Sequence, residues 1–166
     1  MVELHPEDHA ELRRRFAGDR GTGIHHLDGY VALKALLPPP ERRGCVLIDP
    51  PYEAKDEAGR LCRGLAQALK RWPTGTVLVW YPIKARPAVD RLLGDVAMLA
   101  PPPSLVAELL LRPAADPFRL NGSGMLVINP PWQLDTALAE LLPWLAAVLA
   151  PESGMWRCAP LIGDDA

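Results

Sequence analysis

With 166 residues, the chain has the length of one domain with a single hydrophobic core, and we predict one domain over residues 1–166. Its net charge of −2 excludes a strongly basic nucleic-acid-binding protein, so any contact with RNA or DNA must depend on a local basic patch. The 3 cysteines are far apart and no apolar run approaches the roughly 18 to 20 residues of a membrane span, which predicts a cytoplasmic protein without disulfides.

Short apolar segments alternate with segments of helical periodicity along the chain. The predicted strands cover residues 2–5, 24–27, 45–48, 76–81, 105–111 and 125–128. The predicted helices cover residues 6–16, 30–37, 56–70, 87–94 and 134–149. Residues after 149 are expected to fray.

This alternation predicts an α/β fold with a mostly parallel sheet and helices on both of its faces. The last two strands are joined by residues 112–122, which are polar, interrupted by prolines and without helical periodicity. We therefore predict that these two strands form an antiparallel hairpin at one edge of the sheet.

The strand at residues 45–48 is followed by Asp49, Pro50, Pro51 and Tyr52. Four apolar residues without alternation indicate a strand that is covered on both faces, and ligands bind such sheets at the carboxyl ends of the strands. Neither proline can donate a backbone hydrogen bond, and each restricts the backbone conformation of the residue before it. The quartet should therefore form a stiff, extended segment. The alternative is a loop aspartate followed by prolines that simply end the strand.

Two further acidic residues occupy positions like that of Asp49. Glu3 and Asp28 each follow an apolar segment and precede a helical one, so all three carboxylates are expected along one edge of the sheet. In Rossmann-like cofactor sites such a carboxylate accepts hydrogen bonds from ribose hydroxyls, which is the role predicted for Glu3. Asp28 is placed to meet the amino group of the cofactor's adenine, and Gly29 allows close backbone approach. The alternatives are a solvated acid at Glu3 and a helix cap at Asp28.

The Asp-Pro-Pro-Tyr quartet resembles the catalytic motif of S-adenosylmethionine-dependent amino-group methyltransferases. The resemblance implies that the Asp49 carboxylate and the Pro50 carbonyl accept the two N–H bonds of an exocyclic adenine nitrogen, while the Tyr52 ring stacks on the base. That nitrogen is a poor nucleophile because its lone pair is delocalised into the ring. The two acceptors would localise the lone pair toward the methyl donor.

Further segments make the resemblance narrower. They are residues 3–6, 28–29, 43–44, 80–83 and 122–132. Together with the quartet, they are similar to the bacterial 23S ribosomal RNA adenine-N6 methyltransferase family of the J type, over nearly the whole chain. The resemblance implies a Rossmann-like class I methyltransferase sheet, S-adenosylmethionine as the cofactor, 23S rRNA as the substrate, and Asp49 beside both cofactor and target.

The beginning of the chain departs from that family. Family members carry a longer first segment with the first strand, a glycine-rich cofactor loop and residues that touch RNA, whereas this chain starts at what would be the second strand. We therefore expect a gap in the sheet between the strands that end at Glu3 and Asp49, and weak cofactor binding by the 166-residue chain alone. An inactive truncated remnant that acts as a binding module, and an enzyme that methylates DNA adenine or a protein amide, are the alternative functions.

Three other groups of residues allow more than one interpretation. The second proline pair, Asn129 to Trp132, ends the last strand and is interpreted as structural or substrate-facing. The arginines at 13–15 and 42–43 either contact phosphate or lie on solvated faces. His5, His25 and His26 predict no metal site, because neighbouring strand residues point to opposite faces and no third ligand recurs nearby.

Overall fold

The computed structural model describes residues 1–54 and 56–163, which contain seven strands and five helices. The strands are β1 (Val2–Glu3), β2 (His25–His26), β3 (Cys45–Ile48), β4 (Thr76–Ile83), β5 (Ser104–Leu110), β6 (Gly122–Ile128) and β7 (Met155–Ile162). The helices are α1 (Pro6–Arg15), α2 (Gly29–Ala35), α3 (Glu57–Arg71), α4 (Arg86–Ala97) and α5 (Leu134–Leu149). Up to residue 149, the elements agree with the predicted ones in type and order.

Five of the strands form one sheet in the order β3-β4-β6-β5-β7. β3 and β4 pair in parallel, β6 runs antiparallel to both β4 and β5, and β7 runs antiparallel to β5. β1 and β2 pair in parallel in a separate two-stranded sheet. The α/β class is confirmed, with a larger antiparallel share than predicted. The expectation that residues 45–48 are covered on both faces is wrong, because Cys45 and Leu47 on one face of β3 are exposed. The strands that end at Glu3 and Asp49 belong to different sheets, as the expected gap requires.

Two expectations about the later part of the chain are wrong. Residues after 149 do not simply fray, because Met155–Ile162 forms β7 and pairs along the length of β5. β5 and β6 are antiparallel as predicted, but β6 inserts between β4 and β5, and β7 takes the edge. β7 could not be predicted from the sequence, because Arg157 and Pro160 interrupt its apolar alternation. An outermost strand tolerates both residues.

The main hydrophobic core lies between the sheet and helices α3 and α4. Apolar residues at helical spacing on these helices pack against alternate residues of β4, because successive strand side chains point to opposite faces. The buried members are Leu61, Leu65, Val77, Val79, Tyr81, Ile83, Val89, Leu92, Leu93, Val96, Val106, Leu110, Leu126 and Ile128. α5 packs against β5 and β7, and its buried residues Leu142 and Ala146 lie outside this cluster. No helix in the described part of the chain is both long and apolar enough to cross a membrane.

The strands of the five-stranded sheet end along two opposite lines, and the line that contains the carboxyl end of β3 is called the Asp49 edge below. This edge is made of strand ends and differs from the outermost strands β3 and β7. β4 and β5 also end at this edge, whereas β6 begins there at Gly122 and ends at the opposite edge. Ile48, the last residue of β3, pairs with Val79, and β4 continues to Ile83, which pairs with Gly122. At about 3.3 Å per residue, β4 and its partners therefore project roughly 13 Å beyond β3.

Candidate active site

Asp49 directly follows β3, and the prolines after it hold it at the sheet edge. Asp49 is exposed, whereas Pro50 is buried. Among the described residues, neither the Asp49 carboxylate nor the Pro50 carbonyl accepts a hydrogen bond, and no cation lies within ion-pair distance of Asp49. Two free acceptors thus sit at adjacent positions of a stiff segment, an arrangement suited to binding an amino group.

Tyr52 anchors the end of the same motif. Its φ of 55° lies in the left-handed region, which non-glycine residues adopt rarely. The hydroxyl donates a 2.7 Å hydrogen bond to the Trp80 carbonyl, and the two ring centroids are 6.1 Å apart with an interplanar angle of 60°. Burial, followed by the charges of Asp49 and Glu57, raises the pKa of the Tyr52 phenol, which therefore stays protonated as a donor. These contacts fix the ring close to Asp49.

Asp28 lies just beyond β2 and caps α2. One carboxylate oxygen accepts hydrogen bonds from the backbone N–H groups of Tyr30 (2.8 Å) and Val31 (3.4 Å). The other accepts a 2.6 Å hydrogen bond from Arg60, in the first turn of α3. Because α3 begins a few residues after the Asp49 motif, this ion pair links the carboxyl end of β2 to the helix that follows β3. The helix cap considered from the sequence is present, and the oxygen that faces Arg60 keeps a second lone pair for a ligand.

Glu3 and Gly29 lie beside Asp28, because β1 pairs with β2. One Glu3 carboxylate oxygen accepts a 2.7 Å hydrogen bond from the backbone N–H two residues later, and the other oxygen has no partner in the part of the chain that the structure describes. A Cβ added at Gly29 would meet no atom within 4 Å, so the surface there is open to close approach. The structure therefore groups these three predicted residues, and the ion pair between Asp28 and Arg60 links them to α3, the helix that follows the Asp49 motif in sequence.

Tyr30 and Glu57 join the helices behind these two strand ends. The Tyr30 hydroxyl donates a 2.6 Å hydrogen bond to Glu57, which is buried. The Arg60 guanidinium lies over the Tyr30 ring, 4.8 Å from its centroid. Burial and the hydrogen bond to Glu57 raise the pKa of the Tyr30 phenol. Sequence patterns could not reveal this cluster, because Tyr30 and Glu57 are 27 positions apart and each fits an ordinary helix.

The second proline pair lies at the opposite edge of the sheet. β6 runs antiparallel to β4, so Asn129, which follows Ile128, sits next to the start of β4. Its amide donates hydrogen bonds to the carbonyls of Pro73 (2.8 Å) and Gly75 (2.9 Å). The backbone carbonyl of Asn129 accepts a 3.0 Å hydrogen bond from the Thr76 hydroxyl. Asn129 therefore ties β6 to the turn before β4, which is the structural interpretation of this motif.

The arginines considered as phosphate contacts lie on a solvated face or away from Asp49. Two of the arginines on α1 pair with Glu11 at the surface. Residues 42–43 precede β3 and so lie toward the opposite edge of the sheet. Three other cations stand at the Asp49 edge, where Lys84 follows β4 and Arg112 and Arg119 lie between β5 and β6. The sequence places them in loops, and only the strand order groups them.

A family model described as "Ribosomal RNA large subunit methyltransferase D, RlmJ" matches residues 1–162. The chain belongs to this family. Two curated relatives bear the name ribosomal RNA large subunit methyltransferase J. The relative from Haemophilus influenzae is 41% identical over 157 residues, and the one from Escherichia coli is 40% identical over 151 residues. These alignments cover 94% and 91% of this chain but 56% and 54% of the relatives, so the chain spans about half of their length.

A solved structure shares the fold of this RlmJ family member. The crystal structure of protein LPL1258 from Legionella pneumophila has a TM-score of 0.88 and 30% sequence identity. The match covers 99% of this chain and 60% of the Legionella chain. The J-type methyltransferase resemblance found in the sequence motifs is thereby confirmed at the level of family and fold.

Proposed function

We propose that the protein transfers a methyl group from S-adenosylmethionine to N6 of an adenine in 23S ribosomal RNA. The observation that carries the proposal is the pair of free acceptors, the Asp49 carboxylate and the Pro50 carbonyl, at the carboxyl end of β3 in a member of the RlmJ family. The names of the Haemophilus influenzae and Escherichia coli relatives support large-subunit rRNA as the substrate.

Asp49 and Pro50 act on the nucleophile. Their oxygens accept the two N–H bonds of the adenine amino group, which draws the nitrogen lone pair out of conjugation with the ring. The Asp49 carboxylate is also the nearest base for the proton that the nitrogen releases after transfer. When bound, S-adenosylmethionine supplies the electrophilic methyl group.

Tyr52 holds the base. An adenine must leave its stack before its amino group can reach a site at a sheet edge, and an aromatic ring replaces part of the lost stacking. The Tyr52 hydroxyl is fixed to the Trp80 carbonyl, so the ring cannot turn away from Asp49. Its position is therefore set before the substrate arrives, which reduces the entropy lost on binding.

Glu3, Asp28 and Gly29 fit the cofactor, and Asp49 lies between cofactor and target. The free Glu3 oxygen suits a ribose hydroxyl, and the remaining lone pair on Asp28 suits the cofactor's amino group. The open surface at Gly29 leaves room for the adenine. Arg60 neutralises one of the carboxylates at this cofactor site, which limits their mutual repulsion.

The test uses the protein with the amino-terminal segment that the family resemblance predicts, called the extended protein below. Calorimetric titration with S-adenosylmethionine should show saturable binding, and tritiated methyl groups should then appear at adenine N6 of an unmodified 23S rRNA transcript. DNA of the same sequence and a protein substrate are parallel arms. Transfer to either of these but not to RNA would overturn the proposed substrate, and cofactor binding without transfer to any of them would overturn the proposed activity.

A further inference from the structure

We propose that the loop between β5 and β6, residues 111–121, binds the single-stranded RNA that flanks the target adenosine. Phe118 is the stacking platform for a neighbouring base, and Lys84, Arg112 and Arg119 contact phosphates. The inference rests on the proposed function, because it names further contacts of the same substrate. Residues 111–121 are called the Phe118 loop below.

The Phe118 loop stands at the rim of the candidate active site. Leu110 and Gly122 pair at its base, and Gly122 also pairs with Ile83 at the end of β4. The pair Leu110–Gly122 lies roughly 13 Å farther along the strand direction than the end of β3, which Asp49 follows. Nucleotides that flank an adenosine flipped onto Asp49 can reach this rim, because each nucleotide of a single strand extends over several ångströms.

The base of the Phe118 loop is rigid. Asn121 is 1% exposed, and its amide donates hydrogen bonds to the carbonyls of Lys84 (2.8 Å) and Asp116 (2.9 Å). The Asn121 N–H donates to the Ile83 carbonyl at 2.9 Å, and its carbonyl accepts from the Leu111 N–H at 2.8 Å. A loop held in this way presents its outer side chains at little entropic cost when a ligand binds.

Phe118 projects from an ordered turn into solvent. The Asp116 carboxylate accepts a 2.9 Å hydrogen bond from the Phe118 N–H, and Pro117 fixes the backbone between them. Phe118 is nevertheless 93% exposed, and Leu120 beside it is 54% exposed. A phenyl ring that is held in water by a structured turn is available to stack on a base, and every base offers a π-face.

The charges around Phe118 match a nucleic acid backbone. Lys84, Arg112 and Arg119 are exposed, and none lies within 4.0 Å of a carboxylate among residues 1–54 and 56–163. A chain with a net charge of −2 needs such a local group of cations to attract RNA. Their place at the Asp49 edge directs that attraction to the site where the base would react.

The experiment compares two exposed aromatic residues at opposite edges of the sheet. Phe118→Ala is matched by Trp132→Ala, because Trp132 is 90% exposed and follows β6 at the far edge. Arg119→Ala is matched by Lys70→Ala, because Lys70 is exposed in the last turn of α3, which leads to the start of β4. All variants are made in the extended protein, and filter binding measures their affinity for an unmodified 23S rRNA transcript at several salt concentrations.

We expect Phe118→Ala to weaken RNA binding roughly 10-fold and to raise KM for RNA by a similar factor. Phe118→Tyr should restore parental affinity, because it keeps the aromatic face. Arg119→Ala should lower the slope of log affinity against log salt by about 0.7. Trp132→Ala and Lys70→Ala should keep the parental RNA affinity and its salt dependence. All variants should keep the parental Kd for S-adenosylmethionine and the parental unfolding temperature.

If Phe118→Ala and Arg119→Ala both kept the parental RNA affinity, the proposal that the Phe118 loop binds RNA would be overturned. The proposed function would not be affected. An equal loss of affinity in Trp132→Ala would also overturn the proposal for the Phe118 loop, because exposure alone would then explain the effect. A parental extended protein that neither binds nor methylates the transcript would overturn the proposed function, and the RNA surface with it.

Discussion

The chain contains two similar motifs, Asp49 to Tyr52 and Asn129 to Trp132, at opposite edges of one sheet. Each has a residue in the left-handed region, with φ of 55° at Tyr52 and 52° at Asn129. In the first motif the polar side chain has no hydrogen-bond partner among residues 1–54 and 56–163, and the aromatic one is anchored to Trp80. In the second, the polar side chain binds two carbonyls and the aromatic one is 90% exposed.

Strand direction causes this difference. β3 runs toward the Asp49 edge, so its proline pair presents a carboxylate where other carboxyl strand ends meet. β6 runs the other way, so its proline pair reaches the turn before β4, where backbone carbonyls need donors that an amide can supply. In this chain, the direction of the strand therefore decides whether the polar residue of such a motif meets solvent or backbone carbonyls.

The largest expected effect comes from the first motif. Asp49→Ala in the extended protein should lower methyl transfer roughly 10²- to 10³-fold, because the carboxylate acts on the nitrogen in the transition state. Cofactor affinity should change little. Stability should be unchanged, because Asp49 is exposed and has no partner among the described residues. Single-turnover transfer of tritium measures the effect, and a near-parental rate would remove Asp49 from the mechanism.

A carboxylate in the sheet that both motifs share should show the next largest effect, this time on stability. Glu108 is 1% exposed and accepts hydrogen bonds from the Tyr81 hydroxyl at 2.9 Å and from Arg86 at 2.7 Å. Burial by itself would raise the pKa of Glu108, but the hydrogen bonds from Arg86 and Tyr81 outweigh it and hold the pKa below its ordinary 4.5. Its stabilisation is therefore present above the unfolded pKa and is lost as the pH falls through the lowered folded value.

Glu108→Gln should thus reduce the free energy of unfolding by about 2 to 3 kcal/mol at pH 7, because Arg86 loses its buried partner. The difference between parent and variant should shrink as the pH falls below about 4. Urea unfolding of both proteins at several pH values measures it. A difference that stays constant with pH would show that the carboxylate's charge is not what stabilises the sheet.

Asn129→Ala tests the second motif. It should cost about 2 kcal/mol of stability, because two hydrogen bonds are lost and alanine is less favourable at φ 52°. Methyl transfer per folded molecule should be parental. Thermal unfolding and tritium transfer on the same preparation separate these two effects, and a stable variant that loses transfer would place Asn129 in the chemistry instead.

The smallest effect is expected at Tyr52. Tyr52→Phe removes the hydrogen bond to the Trp80 carbonyl and should cost about 1 kcal/mol of stability, while the ring that faces the base is retained. Methyl transfer should stay within a few-fold of the parent, whereas Tyr52→Ala should lower it much further. If Tyr52→Phe abolished transfer while the protein stayed folded, the hydroxyl would have a chemical role beyond anchoring the ring.

The sequence by itself predicted the helices and strands up to residue 149 and the family. It also predicted that Asp49 directly follows a strand. The signals for them are local, since periodicity, prolines and a carboxylate after an apolar run all lie within a few residues of one another. The same reasoning predicted Glu3, Asp28 and Asp49 along one edge of a sheet. In the structure Glu3 and Asp28 lie at one end of the two-stranded sheet, whereas Asp49 follows a strand of the five-stranded sheet.

The tertiary structure decided what depends on strand order and direction. It inserted β6 between β4 and β5 and added β7 as an outermost strand, so that Asn129 contacts the turn before β4. It also gathered Lys84 and the Phe118 loop at the site and joined α2 to α3 through side chains far apart in sequence. A strand's own residues specify its extended conformation and its buried face, but its partners are selected by the packing of the whole sheet.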